Sequence, residues 1–315
     1  MLISDAQTTR SLLPFSKLIP TLKEAFLGAT HVPLRHTHAI PEDGGLQGGG
    51  TSLIMPAWDA EFYGVKVVNI FPSNRAMGLP GLHSSYLLHD VRTGVPLALV
   101  DGDEITSRRT AAAAALGASL LSRPDSASLL VIGAGRVGSL VAEAMREVRP
   151  ITRVAIWDID RDAATRCVET LRSQGIDAEA TADLEASAGR ADIVSCATLA
   201  TSPVVRRDWL RGGTHLDLIG SFTPQMQEAE PSCFADARVW VDTQEALAKS
   251  GDLLRAFEAG GLAPSDIAGD LALLCQQGTA GRRTSEERTV FKAVGTALED
   301  LAAAAMVYRQ LARSN

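Results

Sequence analysis

Residues 129–138 read Leu-Leu-Val-Ile-Gly-Ala-Gly-Arg-Val-Gly, and twenty residues after the last glycine a second apolar run, Val154-Ala155-Ile156-Trp157, ends in Asp158. A buried strand, a G-x-G-x-x-G turn, a helix over 139–148 and an acid closing the next strand form the fingerprint of a dinucleotide-binding βαβ unit. Gly133 allows the tight turn, Gly135 lets the backbone approach a pyrophosphate, and Gly138 lets the helix close onto the strand. Arg136 and Val137 complete the turn, and the helix N-terminus offers amide groups and a positive dipole end to phosphates. Asp158 is placed to accept from both adenosine ribose hydroxyls and to repel a 2′-phosphate, which Arg161 would partly offset. NADH is therefore the expected cofactor, with NADPH tolerated. Cys196-Ala197-Thr198, at the end of a third strand, is expected to border the nicotinamide ribose. Cys196 has no basic neighbour in sequence that would make it a reactive thiol.

Outward from this stretch, residues 129–245 alternate strand and helix patterns, with apolar runs at 129–132, 154–157, 193–196, 214–219 and 239–241. Apolar strands separated by helices predict a doubly wound parallel sheet covered on both faces, a Rossmann-type α/β fold. More than a hundred residues precede it. A short strand and then helix are expected over 1–28, with Asp5 as a cap. Short strands follow at 52–55, 64–71, 84–90 and 96–100, separated by turn signals such as Glu42-Asp43-Gly44-Gly45 and Arg92-Thr93-Gly94. That pattern predicts an α+β domain with an antiparallel or mixed sheet. The alanine-rich run 110–121 predicts a helix leading into the nucleotide domain. Residues 250–286 are mixed, and 289–311 reads as one long amphipathic helix that packs back on the first domain.

Composition narrows the function classes. A chain of 315 residues, 46% hydrophobic, can bury a large core, and its length suggests two domains. A net charge of −7 argues against nucleic acid or an anionic membrane as partner. No apolar run approaches the ~20 residues that span a bilayer. The N-terminus lacks the basic start and apolar stretch of a signal peptide. Cys167, Cys196, Cys233 and Cys275 are widely spaced, so zinc or a disulfide framework is not expected. Reduced thiols and a cytoplasmic location are.

One residue is out of place. The chain has only five lysines, and Lys66 sits inside Gly64-Val65-Lys66-Val67-Val68-Asn69-Ile70-Phe71. A strand this apolar carries an ammonium on a buried face only if the charge has a partner. Either the strand is an edge and Lys66 snorkels to water, or Lys66 holds an anion at the base of a pocket. Arg35, in the extended stretch 32–36, and Arg109, ending the polar run 103–109, each offer the planar fork that suits a carboxylate.

Three segments together resemble the ornithine cyclodeaminase and mu-crystallin family: Tyr63-Gly64-Val65-Lys66-Val67-Val68-Asn69 with Pro72 and Asn74, then Thr106-Ser107-Arg108-Arg109-Thr110-Ala111-Ala112, then Phe291-Lys292-Ala293-Val294-Gly295. The match runs in order over nearly the whole chain. The resemblance implies a substrate-binding and dimerisation domain from 1–120 with 288–315, and a dinucleotide-binding domain over 121–287. It implies a homodimer, and a substrate carboxylate held by Arg35, Lys66 and Arg109. Thr110 and Gly220 join the residues expected to line the cofactor.

Departures from the family pattern help to choose among its chemistries. Ornithine cyclodeaminases engage the substrate amines with an aspartate where this chain has Ser221 or Phe222, and carry an acid just before a Met-Pro pair where this chain has Leu53-Ile54. Without those carboxylates nothing binds or deprotonates an aminoalkyl chain. Gly220-Ser221-Phe222-Thr223-Pro224 and Gly78-Leu79-Pro80-Gly81-Leu82-His83 instead resemble the bacterial reductases of cyclic ketimines, which form L-proline and L-pipecolate from Δ1-pyrroline-2-carboxylate and Δ1-piperideine-2-carboxylate. The resemblance thus implies an imino-acid substrate, with C2 held against the nicotinamide and Phe222 shielding an uncharged ring. No metal is required. His83 is a candidate proton donor, and Asn69 a candidate for orienting the imine or a water. Other activities of the family, cyclodeamination or L-alanine dehydrogenation, and a non-catalytic crystallin-like role stay open at this stage.

Overall fold

The strand holding Lys66 is not an edge. The computed structural model describes residues 1–41 and 49–314, so the turn expected at Glu42-Asp43-Gly44-Gly45 lies outside the described residues. The chain divides into two units, Met1–Arg109 with Thr296–Asn315, and Thr110–Gly295. The first unit contains β1 (Leu2–Ser4), β2 (His36–Ile40), β3 (Gly50–Trp58), β4 (Phe62–Ile70), β5 (Leu82–Asp90) and β6 (Pro96–Asp101). They form one sheet in the order β1-β6-β5-β4-β3-β2. All neighbours are antiparallel except β1 and β6, so the sheet is mixed.

Alternation sets the two faces of this sheet. In β4, Phe62, Gly64, Lys66 and Val68 are buried, while Tyr63, Val65 and Val67 are half-buried. The buried face is covered by the helix Ala297–Ser314, and the helix Phe15–Leu27 packs against that helix. Asp5 caps the helix Ala6–Leu12, accepting from the Thr8 amide at 2.8 Å. β3 runs through Pro56 and so is longer than the expected 52–55. Its β2 neighbour pairs only as far as Ile54, so Pro56 sits where no ladder bond is needed on that side.

The second unit contains β7 (Ser128–Ile132), β8 (Arg153–Trp157), β9 (Ala178–Ala180), β10 (Ile193–Cys196), β11 (His215–Leu218), β12 (Ala237–Val241) and β13 (Arg288–Lys292). The order is β12-β13-β11-β10-β7-β8-β9, and every pair is parallel. Chain order turns back at β7, with β8 on one side and β10 on the other. That is the switch point outside whose carboxyl edge ligands of such sheets bind. The core on one side includes Leu130, Ile132, Val194, Leu216, Leu218 and Val290, all at most 1% exposed.

Two expectations need correction. Residues 289–311 are not one helix. Arg288–Lys292 is a fully buried strand between β11 and β12, and the helix begins at Ala297 after a turn at Gly295, whose φ is +77°. The division of the chain moves accordingly. Residues 288–295 belong to the second unit, and so do 110–120, because the boundary falls inside the helix Gly102–Leu121.

Candidate functional site

At the carboxyl edge of β7 each glycine has its own physical requirement. Gly133 has φ +105°, and a Cβ there would stand 2.6 Å from the carbonyl oxygen of Ala197. A Cβ on Gly138 would collide with the Gly133 carbonyl. Gly135 is exposed, and its Cβ position faces open space. Two glycines are thus demanded by packing, and the third leaves room above the turn, which suits a pyrophosphate. Asp158 is bound into the same structure. Its Oδ2 accepts from the Ala134 amide at 2.7 Å and its Oδ1 from the Asp160 amide at 2.8 Å. Asp160 in turn caps the helix Arg161–Ser173, which leaves Arg161 exposed at the first helical position. Arg136 is exposed in the turn, and Val137 is half-buried.

Beside this turn, the residues after β10 separate by depth. Cys196 is fully buried, and burial pushes its thiol well above the usual range, so it packs rather than reacts. Ala197 and Thr198 are half-buried. The Thr198 amide and hydroxyl both donate to Glu228 Oε1, at 2.7 and 2.9 Å. Gly220, after β11, has its Cβ position filled by the Thr198 carbonyl and the Glu228 carboxyl group. Close approach of two loops therefore requires a glycine there. Thr110 is half-buried on the helix Gly102–Leu121.

In the first unit, Lys66 and Arg109 come together around two acids absent from the sequence expectations. Lys66 Nζ lies 2.7 Å from Asp300 Oδ2 and donates to Thr106 Oγ1 at 3.3 Å. Arg109 donates through Nε to Asp300 Oδ1 at 2.9 Å and through Nη1 to Glu299 Oε2 at 2.6 Å. Lys66, Glu299 and Asp300 are at most 1% exposed and Arg109 is 6% exposed. Two cations and two anions thus form a balanced, buried quartet. Burial lowers the Lys66 ammonium to about 8 against the pull of Asp300. Burial works to raise the Asp300 carboxyl, but Lys66 and Arg109 outweigh it and hold it below its usual range.

The other expected residues are distributed differently. Arg35 is half-buried just before β2, whose first residue, His36, lies across from Ile54. Asn69 and His83 are cross-strand partners. They lie on the opposite face of the sheet from Lys66, because Asn69 is an odd number of residues away in the same strand. His83 is about half exposed, with Nδ1 3.9 Å from Asp103 Oδ2, and Asp103 Oδ1 accepts from Ser84 Oγ at 2.7 Å. The structure therefore joins Lys66 with Arg109 and joins Asn69 with His83, but does not put the two pairs on one face. Glu299 and Asp300 had one visible signal, an acidic pair in the first turn of a helix. That signal reads equally well as dipole complementation.

Asp300→Asn leaves Lys66 and Arg109 with one acid between them in a dry site. Breaking a buried pair this way costs about 3–5 kcal/mol, and the urea midpoint of the purified protein should fall accordingly. An unchanged midpoint would mean that charge balance is not what keeps Lys66 inside.

Comparison with known proteins gives the family of the chain. The sequence profile of the ornithine cyclodeaminase/mu-crystallin family matches residues 3–315. The Δ1-pyrroline-2-carboxylate reductase of Paracoccus denitrificans is 40% identical over 266 residues, 84% of each chain. The structure of Thermococcus litoralis Δ1-pyrroline-2-carboxylate reductase in complex with NADH and L-proline is similar with a TM-score of 0.91 at 32% identity, covering 100% of this chain and 98% of that one. An archaeal alanine dehydrogenase dimer with bound NAD has a TM-score of 0.88 at 28% identity, covering 100% and 97%. The chain belongs to the ornithine cyclodeaminase/mu-crystallin family.

Proposed function

We propose that this protein reduces Δ1-pyrroline-2-carboxylate to L-proline with NADH, and Δ1-piperideine-2-carboxylate to L-pipecolate. The observation that carries this reading lies just after β11. Where the family resemblance would place a cyclodeaminase's aspartate stands Ser221 or Phe222, and Ser221 is fully buried. Its Oγ donates to the Met226 carbonyl at 2.8 Å and accepts from the Asp252 amide at 2.9 Å. The next residue, Phe222, is 37% exposed and offers an apolar ring instead of a charge. Leu53 and Ile54 in β3 likewise carry no acid. One methylene in an apolar pocket discriminates by only ~1–3 kcal/mol, so the six-membered imine is proposed as a second substrate beside the five-membered one.

In this reading the quartet is a prearranged carboxylate receptor. Arg109 commits Nε and Nη1 to the acids, which leaves Nη2 as its donor for a ligand, and Lys66 contributes charge beside it. The two acids fix both cations in place before substrate arrives, so little ordering is needed on binding. Arg35 is the third cation of the receptor. The bound cofactor supplies the hydride. The turn around Gly133, Gly135 and Gly138 holds its phosphates, and Asp158 faces its adenosine ribose. Thr198 and Gly220 border the nicotinamide half. Each turnover consumes one NADH and one proton and yields one ring amine. The imine is reduced in its protonated form, so His83, on the other sheet face from Lys66, is given no proton-transfer step.

The same reading takes the protein as a homodimer. The uncovered face of the first unit's sheet carries a row, Ile3, Leu99, Leu87, Val65 and Pro56, aligned across five strands. Ile3 is 72% and Leu99 36% exposed, which leaves apolar surface for a second copy. Light scattering should give twice the 33.3 kDa chain mass. A monomer would contradict this assignment.

The direct test is loss of NADH absorbance with each cyclic imine, beside L-ornithine with NAD and pyruvate with ammonia. Oxidation with the imines and silence from the other mixtures is expected. Proline and ammonia from ornithine, or turnover only with pyruvate and ammonia, would overturn the assignment. The role of Lys66 predicts a pH dependence. Its ammonium, lowered to about 8, loses its proton above that pH. The Kd of pyrrole-2-carboxylate, whose ring nitrogen does not titrate there, should be flat from pH 6 to about 7.5 and then rise up to tenfold per unit. A flat Kd to pH 10 would remove Lys66 from carboxylate binding.

A further inference from the structure

The second unit contains another buried lysine, which the proposed chemistry leaves without a role. Lys292, the last residue of β13, is 0% exposed. Its Nζ donates to the carbonyl oxygens of Leu218, at 3.0 Å, and of Gly220. Asp252 Oδ2 lies 3.6 Å from it. Asp252 is also fully buried, in the first turn of the helix Gly251–Glu258, and its Oδ1 accepts from the amides of Glu228 and Ala229 at 2.8 and 3.0 Å.

These contacts converge on a strained turn. Ser221 has φ +57°, a left-handed conformation that a non-glycine residue keeps only where its surroundings over-determine it. Here the Lys292 ammonium holds the carbonyl before it, and the Asp252 amide and Met226 carbonyl hold its hydroxyl. Glu228, whose backbone amide is bound by Asp252, grips Thr198 with its side chain. Burial pushes the Glu228 carboxyl up to about 8 against the pull of Lys292, and the buried Asp217 and Asp242 carboxyls also feel that ammonium. Asp252, 3.6 Å away, is the carboxylate in ion-pair contact with it. The segments after β10 and β11 are therefore joined through a chain of buried contacts that runs from Thr198 through Glu228 and Asp252 to Lys292 and Gly220.

That location has a consequence in a doubly wound sheet. β7 and β8, with Asp158, belong to the adenosine half, and the ends of β10 and β11 border the nicotinamide half. We infer that Lys292, with Asp252 as its counter-charge, is a positioning residue for hydride transfer: it fixes Gly220, Ser221 and Thr198, the backbone against which the nicotinamide end of the dinucleotide rests. This rests on the reductase reading for its rate measurement. Adenosine-end contacts are untouched by Lys292, so its loss should separate binding from turnover. Misplacement of a reacting centre by about 1 Å costs up to 100-fold in rate with little change in affinity.

The test uses the full-length protein with NADH and Δ1-pyrroline-2-carboxylate. Lys292→Met should hold the NADH Kd within about threefold of wild type while kcat falls tenfold or more, and the fluorescence change of NADH on binding should be diminished. Ser221→Gly suits the same φ without strain, so it folds, yet it frees the turn by removing the hydroxyl's contacts with Met226, Asp252 and Ser250. It should lower kcat in the same direction without lowering Tm. A wild-type kcat in Ser221→Gly, or a lowered Tm with a wild-type kcat in Lys292→Met, would make the ion pair merely structural and overturn the inference. Equal loss of NADH binding and turnover in both variants would overturn it too. If the wild-type protein turns over no imine, the reductase reading fails instead, and the fluorescence of bound NADH in the two variants still decides the positioning role.

Discussion

A single buried ammonium governs the first unit. Lys66 stands in an inner strand, on the covered face, in a row with Met55 and Tyr86. An unpaired charge there would be prohibitively costly. Asp300 neutralises it, Arg109 neutralises Asp300, and Glu299 completes the count. The helix that supplies both acids is thereby pinned against the sheet at its first turn, and the segment ending at Arg109 is pinned with it. Such a cluster is costly to break yet no more stabilising than a hydrophobic one, and in the proposed reading it holds two cations rigid before a carboxylate arrives.

The second unit uses the same physics with different partners. Asp158 is committed to backbone amides of the glycine turn and of the following loop. Lys292 is committed to backbone carbonyls at the end of β11. In both, a charged side chain replaces the hydrogen bonds that irregular backbone at a sheet edge would otherwise lack. Loops that must present a precise surface to a ligand are thus held by charges rather than by their own regular structure.

The parts legible in sequence were those with local causes. The glycine turn could be read because each glycine answers a local steric demand, and the parallel strands because each is a short apolar run between helices. Lys66 announced itself by its apolar neighbours. The strand Arg288–Lys292 was hidden because five residues of Arg-Thr-Val-Phe-Lys carry no period that separates strand from helix, and an alanine-rich helix follows closely. The partners of Arg109 were hidden for a different reason: they lie 190 and 191 residues away. Only the fold brings them together. Lys292 carried the same signal as Lys66, an ammonium in a buried apolar segment, but it was visible only once that segment was known to be a strand. The separation of Asn69 from Lys66 was available from two-residue periodicity alone, yet their grouping by family resemblance masked it.

The most direct measurement is a crystal structure of the protein with L-proline bound. If the quartet is a prearranged receptor, the proline carboxylate will lie within hydrogen-bonding distance of Arg109 Nη2, beside Lys66, with the contacts to Glu299 and Asp300 intact. A carboxylate bound elsewhere, with Lys66 and Arg109 turned only towards their two acids, would contradict the account and leave the quartet as a brace for the fold.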